Sequence, residues 1–190
     1  MNYASSEEKY FHWYLMELRT LGYIEEIDFQ PSSIEIIPKK QIQYLKKLKT
    51  KTNIITKTLL YSLSYTPDFM WRWTDKAKGI FYEDVDSVLE NKDIPFKANK
   101  LGSSSLSIVD TKAAYDRNHS NRAFSVTQKA LYEMQGVYVQ MIVPDKMFKK
   151  TFVPGRYLRT DKKTQLRKIN FKFKTISEYE QACYKIPKLL

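Results

Sequence analysis

Two short stretches decide the fold of this chain: Ser64-Tyr65-Thr66-Pro67-Asp68-Phe69-Met70 and, further along, Ser107-Ile108-Val109-Asp110-Thr111-Lys112-Ala113. Successive side chains of a β-strand point to opposite faces of the sheet, so Asp110 and Lys112 share one face and Thr111 takes the other. Asp68 opens a second apolar run, Phe69–Trp73. If the two runs pair, two carboxylates and one ammonium group converge, which predicts a site for a divalent metal ion beside a fixed positive charge.

Composition limits the class of protein. The chain has 190 residues, of which 43% are hydrophobic and 14% aromatic, so we expect one domain with a substantial core. We find neither a membrane-spanning stretch nor an export signal and therefore expect a cytoplasmic protein with no membrane partner. A single cysteine, Cys183, excludes an internal disulfide, and with only two histidines there is no ligand set for structural zinc. A catalytic metal would need oxygen ligands, which favours Mg²⁺ or Mn²⁺.

Positive charge is concentrated in two segments. The net charge is +11; residues 146–190 carry thirteen Lys or Arg against three acids, and residues 39–57 carry seven lysines and no acid. Such clustering is typical of a polyanion-binding surface, although general surface charge explains a basic run equally well. The residues predicted to contact nucleic acid are Lys39, Lys40, Lys46, Lys47, Arg117, Arg122, Arg156, Arg159, Lys162, Lys163, Arg167 and Lys168.

An amphipathic helix is predicted near the N-terminus. Ser5 and Ser6 precede Glu8 as in a helix N-cap, apolar residues recur at three- and four-residue spacing, and Gly22 is suited to end the helix. Glu8 has two interpretations: an acid that caps the first turn, or a carboxylate that points into an active site. The spacing alone favours the cap.

The next segments alternate between extended and irregular patterns. Strands are predicted at Ile24–Phe29, 33–37 and 53–63. The lysine-rich segment 39–51 is interpreted as a short basic helix or a mobile insertion. The stretch 74–105 lacks periodicity and is expected to be an excursion between strands, with at most a short helix near 84–90. Its Glu83 and Asp86 belong to a charge run and are interpreted as a solvated face rather than metal ligands.

The pattern after Lys112 predicts a polar loop at 116–122, a helix from Ser125 to Gly136 and a buried strand at 137–143. His119 in that loop is expected to be merely exposed. A strand, a helix and a second strand in this order join parallel neighbours of one sheet. We therefore predict an α/β fold with a mixed central β-sheet flanked by helices.

These motifs together resemble the PD-(D/E)xK nuclease superfamily, in particular its small phage-type and transposon-type endonucleases. The resemblance covers about residues 5–143 and rests on the following motifs: Ser5-x-x-Glu8-x-x-Phe11, Gln30-Pro31, Tyr65-Thr66-Pro67-Asp68-Phe69 and Ile108-Val109-Asp110-Thr111-Lys112. Asp110 stands where glutamate is more frequent. The resemblance implies a restriction-endonuclease-like core of order αβββαβ at 1–145, with insertions at about 39–57 and 74–105. The basic C-terminal extension, 146–190, has no counterpart and is expected to pack on the core.

The resemblance also implies roles for individual residues. Asp68 and Asp110 match the metal-binding acids, with the backbone carbonyl of Thr111 as a further ligand. Lys112 matches the lysine that positions the attacking water and offsets phosphate charge. Glu8 matches an acid on the first helix that joins the metal shell in many members, which shifts our preference modestly toward a catalytic role. On the helix after the third motif, Gln128 or Lys129 matches a polar residue that faces the site.

The predicted function is a metal-dependent endonuclease that hydrolyses DNA phosphodiester bonds, with Mg²⁺ as cofactor and Mn²⁺ as substitute. If the chain is phage-encoded, we expect it in the host cytoplasm. Junction resolution and end- or sequence-specific cleavage both stay open, as does a homodimer. Two competing hypotheses are an inactive nuclease-fold module for DNA binding or assembly, and an Asp110–Lys112 ion pair on an exposed strand with no further role.

Overall fold

The computed structural model describes residues 2–87, 93–114, 120–159, 165–167 and 169–185. Its helices and strands, in chain order, are α1 (Ser6–Thr20), β1 (Ile24–Phe29), β2 (Ile34–Ile37), β3 (Lys40–Lys47), β4 (Thr52–Leu60), β5 (Leu63–Tyr65), β6 (Phe69–Trp73), β7 (Tyr82–Asp84), β8 (Phe96–Leu101), β9 (Ser104–Thr111), α2 (Ser120–Gln135), β10 (Gln140–Ile142), α3 (Pro144–Lys150) and α4 (Ile176–Lys185). In the described ranges, no helix is long and apolar enough to cross a membrane.

Helix α1 begins and ends at residues whose chemistry favours those positions. The Ser5 hydroxyl accepts a hydrogen bond from the Glu8 backbone N–H at 3.1 Å, and the Glu8 carboxylate accepts one from the Ala4 N–H at 3.1 Å. Such reciprocal caps satisfy backbone donors that have no partner within the helix. The chain leaves the helix through Gly22, whose φ of +76° is accessible to glycine at little cost. The predicted amphipathic helix is confirmed.

A mixed sheet forms the centre of the protein, with strand order β1-β6-β9-β8-β7. Strands β1, β6 and β9 are antiparallel neighbours. On its other side β9 pairs with β8, antiparallel, along its first half and with β10, parallel, along its second half. Helix α2 lies between β9 and β10 in the chain, as predicted for parallel neighbours. The predicted α/β class, a mixed sheet flanked by helices, is confirmed.

The two faces of the sheet carry cores of different size. On one face, helices α1, α3 and α4 enclose a large aromatic core that includes Phe11, Trp71 and Phe148. On the other face, α2 and the β2–β5 pair enclose a smaller core built around Ile108 and Phe124. Trp71 and Trp73 alternate with Met70 and Arg72 along β6, and both tryptophans are buried in the larger core.

The helix prediction for 39–51 is wrong. This segment forms a β-hairpin in which β3 pairs antiparallel with β4 along its whole length. The three-residue spacing of Ile42, Leu45 and Leu48 imitates a helix, but the sequence Gln-Ile-Gln-Tyr also alternates with the period of a strand. Pairing with the Ile- and Thr-rich β4 decides between the two patterns.

Two further boundaries differ from those predicted. Helix α2 begins at Ser120 rather than Ser125, so Arg122 lies in its first turn instead of in a loop. The stretch 74–105, expected to be an excursion, contributes β7 and β8 to the central sheet. Its strands were missed because they are short, and because β7 carries two adjacent acids that look solvent-exposed in the sequence.

Candidate active site

Asp68 and Asp110 lie at adjoining ends of the two central strands β6 and β9. Phe69 pairs with Val109 and Met70 with Ile108, and Asp68 lies in the bend that immediately precedes β6, next to the end of β9 that carries Asp110. The Asp68 backbone N–H donates to the Val109 carbonyl at 3.1 Å, which holds this bend against the end of β9. Asp110 lies on the face of the sheet that α2 covers, because Ile108, two residues earlier on β9, belongs to the smaller core.

Thr111 fixes the Asp68 carboxylate with two hydrogen bonds. Its backbone N–H and its hydroxyl both donate to Asp68 Oδ2, each at 2.7 Å. Hydrogen bonds to an ionised acceptor are among the stronger ones in proteins. The resemblance assigned Thr111 a role through its carbonyl, whereas these contacts come from its N–H and hydroxyl, and the sequence pattern did not predict that role.

Lys112 reaches back to Asp110. Its Nζ lies 2.5 Å from Asp110 Oδ2, the lysine side chain is 28% exposed, and the aspartate is buried. The contact is an ion pair without hydrogen-bond geometry at the carboxylate oxygen. Because Asp110 is buried at the end of a central strand, the pair is not the exposed surface contact of the competing hypothesis.

The Tyr65 hydroxyl also faces this pair, which the sequence analysis did not single out. It is buried beside the Asp110 carboxylate and makes no well-formed hydrogen bond within the described ranges. Burial raises the pKa of Tyr65, and the negative charges of Asp110 and Asp68 raise it further. Its position three residues before Asp68, in Tyr65-Thr66-Pro67-Asp68, is the signal that could have indicated it.

Glu8 adds a third negative charge. It is buried and caps α1, so the capping interpretation holds. Burial raises the pKa of Asp68, the two Thr111 hydrogen bonds oppose that rise, and the charges of Asp110 and Glu8 add to it. The same carboxylate therefore caps the helix and acts electrostatically on Asp68.

The donor set fits a hard divalent cation. Asp68, Asp110 and Glu8 offer carboxylate oxygens, Lys112 pairs with Asp110, and Asp110 Oδ2 is buried without a directed hydrogen bond. Among the residues that the structure describes, no three acidic, histidine or cysteine side chains are gathered closely enough to hold one ion. Asp68, Asp110 and Glu8 would have to draw together around it.

The two candidates on α2 behave differently. The Gln128 side-chain amide donates to the Val139 carbonyl at 2.6 Å, which ties α2 to the segment before β10. Lys129 is exposed. Gln128 therefore makes a structural contact. Its role beside Asp68 and Asp110 stays a prediction.

The predicted nucleic-acid contacts fall into three groups. Exposed side chains are Lys39, Lys40, Lys46, Lys47, Arg122, Arg156 and Arg159. Arg167 is engaged within the protein, since its guanidinium lies 4.3 Å from the Tyr157 ring centre and its Nε donates to the Tyr157 carbonyl. Arg117, Lys162, Lys163 and Lys168 lie outside the described residues, as does His119.

A second pair of buried acids lies on β7. Glu83 and Asp84 are both 7% exposed, so the interpretation of Glu83 as part of a solvated face is wrong. Lys97 Nζ lies 2.6 Å from Glu83 and Lys78 Nζ 2.8 Å from Asp84. Burial favours a higher pKa for Asp84, but the hydrogen bond and charge of Lys78, helped by Lys100, hold it below its usual range. These acids are neutralised within the fold.

Comparisons with protein-family models, curated proteins and solved structures find no match for this chain. The assignment of the candidate active site therefore rests on the geometry of its residues.

Proposed function

We propose that this protein is a divalent-metal-dependent DNA endonuclease with a restriction-endonuclease-like core of the PD-(D/E)xK type. The observation that carries the proposal is that the half-buried Asp68 and the buried Asp110 lie at the ends of two central strands, with Lys112 ion-paired to Asp110. A fold gains no stability from placing two carboxylates together with too few cations, so such a pair is commonly functional.

Each residue has a chemical task in phosphodiester hydrolysis. Asp68 and Asp110 would hold Mg²⁺, and Glu8 would complete the shell. The ion, when bound, supplies a nucleophilic water at neutral pH and neutralises charge on the phosphate. Lys112 offers a fixed positive charge where negative charge accumulates during the reaction. Thr111 keeps the Asp68 carboxylate in one orientation, which lowers the cost of assembling the site.

DNA as substrate is supported by charge. The exposed lysines of residues 39–57 match a phosphate backbone, with no acid among them to weaken the attraction. The same surface would serve an inactive module for DNA binding or assembly, the second candidate function. The acids separate the two hypotheses, because carboxylates beside phosphate weaken binding and are useful only with a bound cation.

Cleavage assays test the proposal. The full-length protein would be incubated with supercoiled plasmid, linear duplex, single strands and a four-way junction, each with Mg²⁺, Mn²⁺ or chelator. The Asp110→Asn substitution preserves the shape of the side chain and removes its negative charge. Asp86→Asn makes the same charge change at an acid whose side chain is 72% exposed, and serves as the matched control.

We expect cleavage with Mg²⁺ or Mn²⁺ in the wild type and in Asp86→Asn, and none in Asp110→Asn or in chelator. Cleavage that persists in Asp110→Asn would reject this site. DNA binding without cleavage of any substrate by the wild type would favour the binding module instead. Thermal unfolding of each variant would show that loss of activity is not loss of fold.

A further inference from the structure

The β3–β4 hairpin projects from the protein. Its two strands pair only with each other in the described sheets, and all eight residues of β3 are exposed. At about 3.3 Å per residue, eight residues span about 26 Å. A two-stranded ribbon alone is marginally stable in water, so a projecting ribbon of this length indicates a binding surface.

The two faces of the ribbon differ in chemistry. One face carries Tyr44 opposite Ile55, an aromatic and β-branched pair of the kind that holds two strands together. The other face carries amide and hydroxyl groups in opposed pairs, Gln41 with Thr58 and Gln43 with Thr56. The first face stabilises the ribbon, while the second offers hydrogen-bond donors and acceptors to a partner.

Lysines surround the tip. Lys46 and Lys47 end β3, Lys49 and Lys51 lie in the turn, and the Leu48 N–H closes that turn by donating to the Lys51 carbonyl at 2.7 Å. The exposed Leu45 and Ile54 face each other just below the tip, on the amide and hydroxyl face. A cationic tip above a polar face is suited to a partner with phosphates outside and hydrogen-bonding edges inside.

The ribbon is joined at its base to the strand that carries Tyr65 of the candidate active site. Strands β2 and β5 pair with each other, with Tyr65 at one end of the ladder, opposite Ile34, and Leu63 at the other, opposite Ile37. The ribbon leaves this ladder at Leu63, which lies two residues and about 7 Å from Tyr65 at the strand rise per residue. A duplex held by the ribbon would therefore lie close to the strand that borders Asp110.

We infer that the β3–β4 ribbon enters the major groove of duplex DNA, with Gln41, Gln43, Thr56 and Thr58 facing the base edges and the tip lysines on the flanking phosphates. The major groove, about 12 Å wide, admits a two-stranded ribbon, and Gln pairs with adenine while Thr contacts thymine. The inference rests on the proposed function for the identity of the polyanion. It assigns base recognition to an element outside the catalytic sheet.

A second copy of this chain is the competing partner for the ribbon. Two ribbons that met would bring together seven lysines each, with no acid in either segment to compensate. Like charges that meet at such an interface repel each other, whereas DNA supplies the opposite charge. Charge therefore favours the nucleic acid.

Binding in chelator tests the inference without any need for cleavage. The salt dependence of duplex binding would be compared for wild type, Lys46→Gln/Lys47→Gln and Lys149→Gln/Lys150→Gln, the last being a matched pair of exposed neighbours at the end of α3. Each phosphate contact contributes about 0.9 to the slope of log K against log salt, so the ribbon variant should lose about two units. The α3 variant should keep the wild-type slope. Equal loss in both variants would overturn the inference.

Chemical footprinting tests the groove. The guanine N7 atom lies in the major groove, so bound wild-type protein should protect it from methylation. Gln41→Ala/Gln43→Ala should lose that protection while circular dichroism stays native. N7 atoms that stay reactive beneath bound wild-type protein would overturn the inference even if the protein cleaves DNA. Protection without any cleavage would leave the ribbon assignment standing and reject the nuclease.

Sedimentation tests the competing partner. The double substitution Leu45→Lys/Ile54→Lys makes the exposed apolar pair near the tip positively charged. The molecular mass in solution should be the same for this variant as for the wild type. A wild-type dimer that dissociates in the variant would assign the ribbon to a second copy and overturn the inference.

Discussion

Two pairs of acids in one sheet have opposite electrostatic situations. On β7, Glu83 and Asp84 each have a lysine within 2.8 Å, and a third lysine, Lys100, lies 3.5 Å from Asp84. At the ends of β6 and β9, Lys112 pairs with Asp110, while Asp68 experiences the negative charges of Asp110 and Glu8. The pKa of Asp84 is accordingly lowered, and that of Asp68 is raised.

The comparison shows why burial of carboxylates is not by itself a sign of function. The β7 pair is balanced by lysines of its own fold and stabilises the edge where β7 joins β8. The Asp68–Asp110 pair lacks one or more positive charges, which an external cation would supply. We expect substitutions at the first pair to affect stability and those at the second to affect activity.

Lys112→Met should have the largest effect. It removes the positive charge that the proposed function assigns to the reacting phosphate, and loss of one such group costs about 10²–10³ in turnover. Turnover would be measured on plasmid DNA with saturating Mg²⁺ and expressed per folded protein, because loss of the ion pair with the buried Asp110 also lowers the unfolding free energy. Turnover within tenfold of wild type would count against the role given to Lys112.

Lys97→Met should lower stability and leave cleavage nearly unchanged. It removes the 2.6 Å ion pair with the buried Glu83, and we expect the unfolding free energy to fall by about 1–3 kcal/mol. Urea denaturation would measure that loss, and cleavage by the folded fraction should stay near wild type. If the Lys97→Met variant kept full stability and lost cleavage, the β7 acids would belong to the active site rather than to the stability of the fold.

Thr111→Val should have an intermediate effect on activity alone. The hydroxyl bond to Asp68 is lost and the backbone bond is kept, so cleavage should fall about tenfold, as for other groups that orient metal ligands. Thr127→Val is the matched control, because its hydroxyl bonds only to the Ala123 carbonyl within α2. Equal activity in the two variants would show that the Thr111 hydroxyl has no role in orienting Asp68 for cleavage.

Asp84→Asn should have the smallest effect, visible as a change with pH. Because the folded pKa of Asp84 lies below the ordinary 3.8, its stabilising contribution is present above that pH and is lost as the pH falls through the lowered pKa. The variant should therefore be less stable than wild type near neutral pH, and the difference should vanish in strong acid. A constant difference down to pH 2 would show that Asp84 contributes through packing alone.

Local signals predicted much of the fold. The Ser5 cap, the spacing of apolar residues and Gly22 identified α1, and alternation around Asp68 and Asp110 identified the two central strands. The placement of Asp110 and Lys112 on one face follows from the period of a strand and needs no tertiary information.

What the sequence missed depends on long-range pairing. Whether 39–51 is helix or strand is decided by its partner β4, and Glu83 is buried only because Lys97 comes from a neighbouring strand. The two hydrogen bonds from Thr111 to Asp68 exist only after β6 and β9 pair. Residue spacing along one segment contains none of this information.

Binding of Mn²⁺ to the full-length protein without DNA tests most directly whether the Asp68–Asp110 pair takes up a cation. The loss of the electron paramagnetic resonance signal of free Mn²⁺ would be followed in wild type, Asp68→Asn and Asp84→Asn. We predict binding by wild type and by Asp84→Asn and none by Asp68→Asn. Equal binding by all three proteins, or none by wild type, would contradict the account.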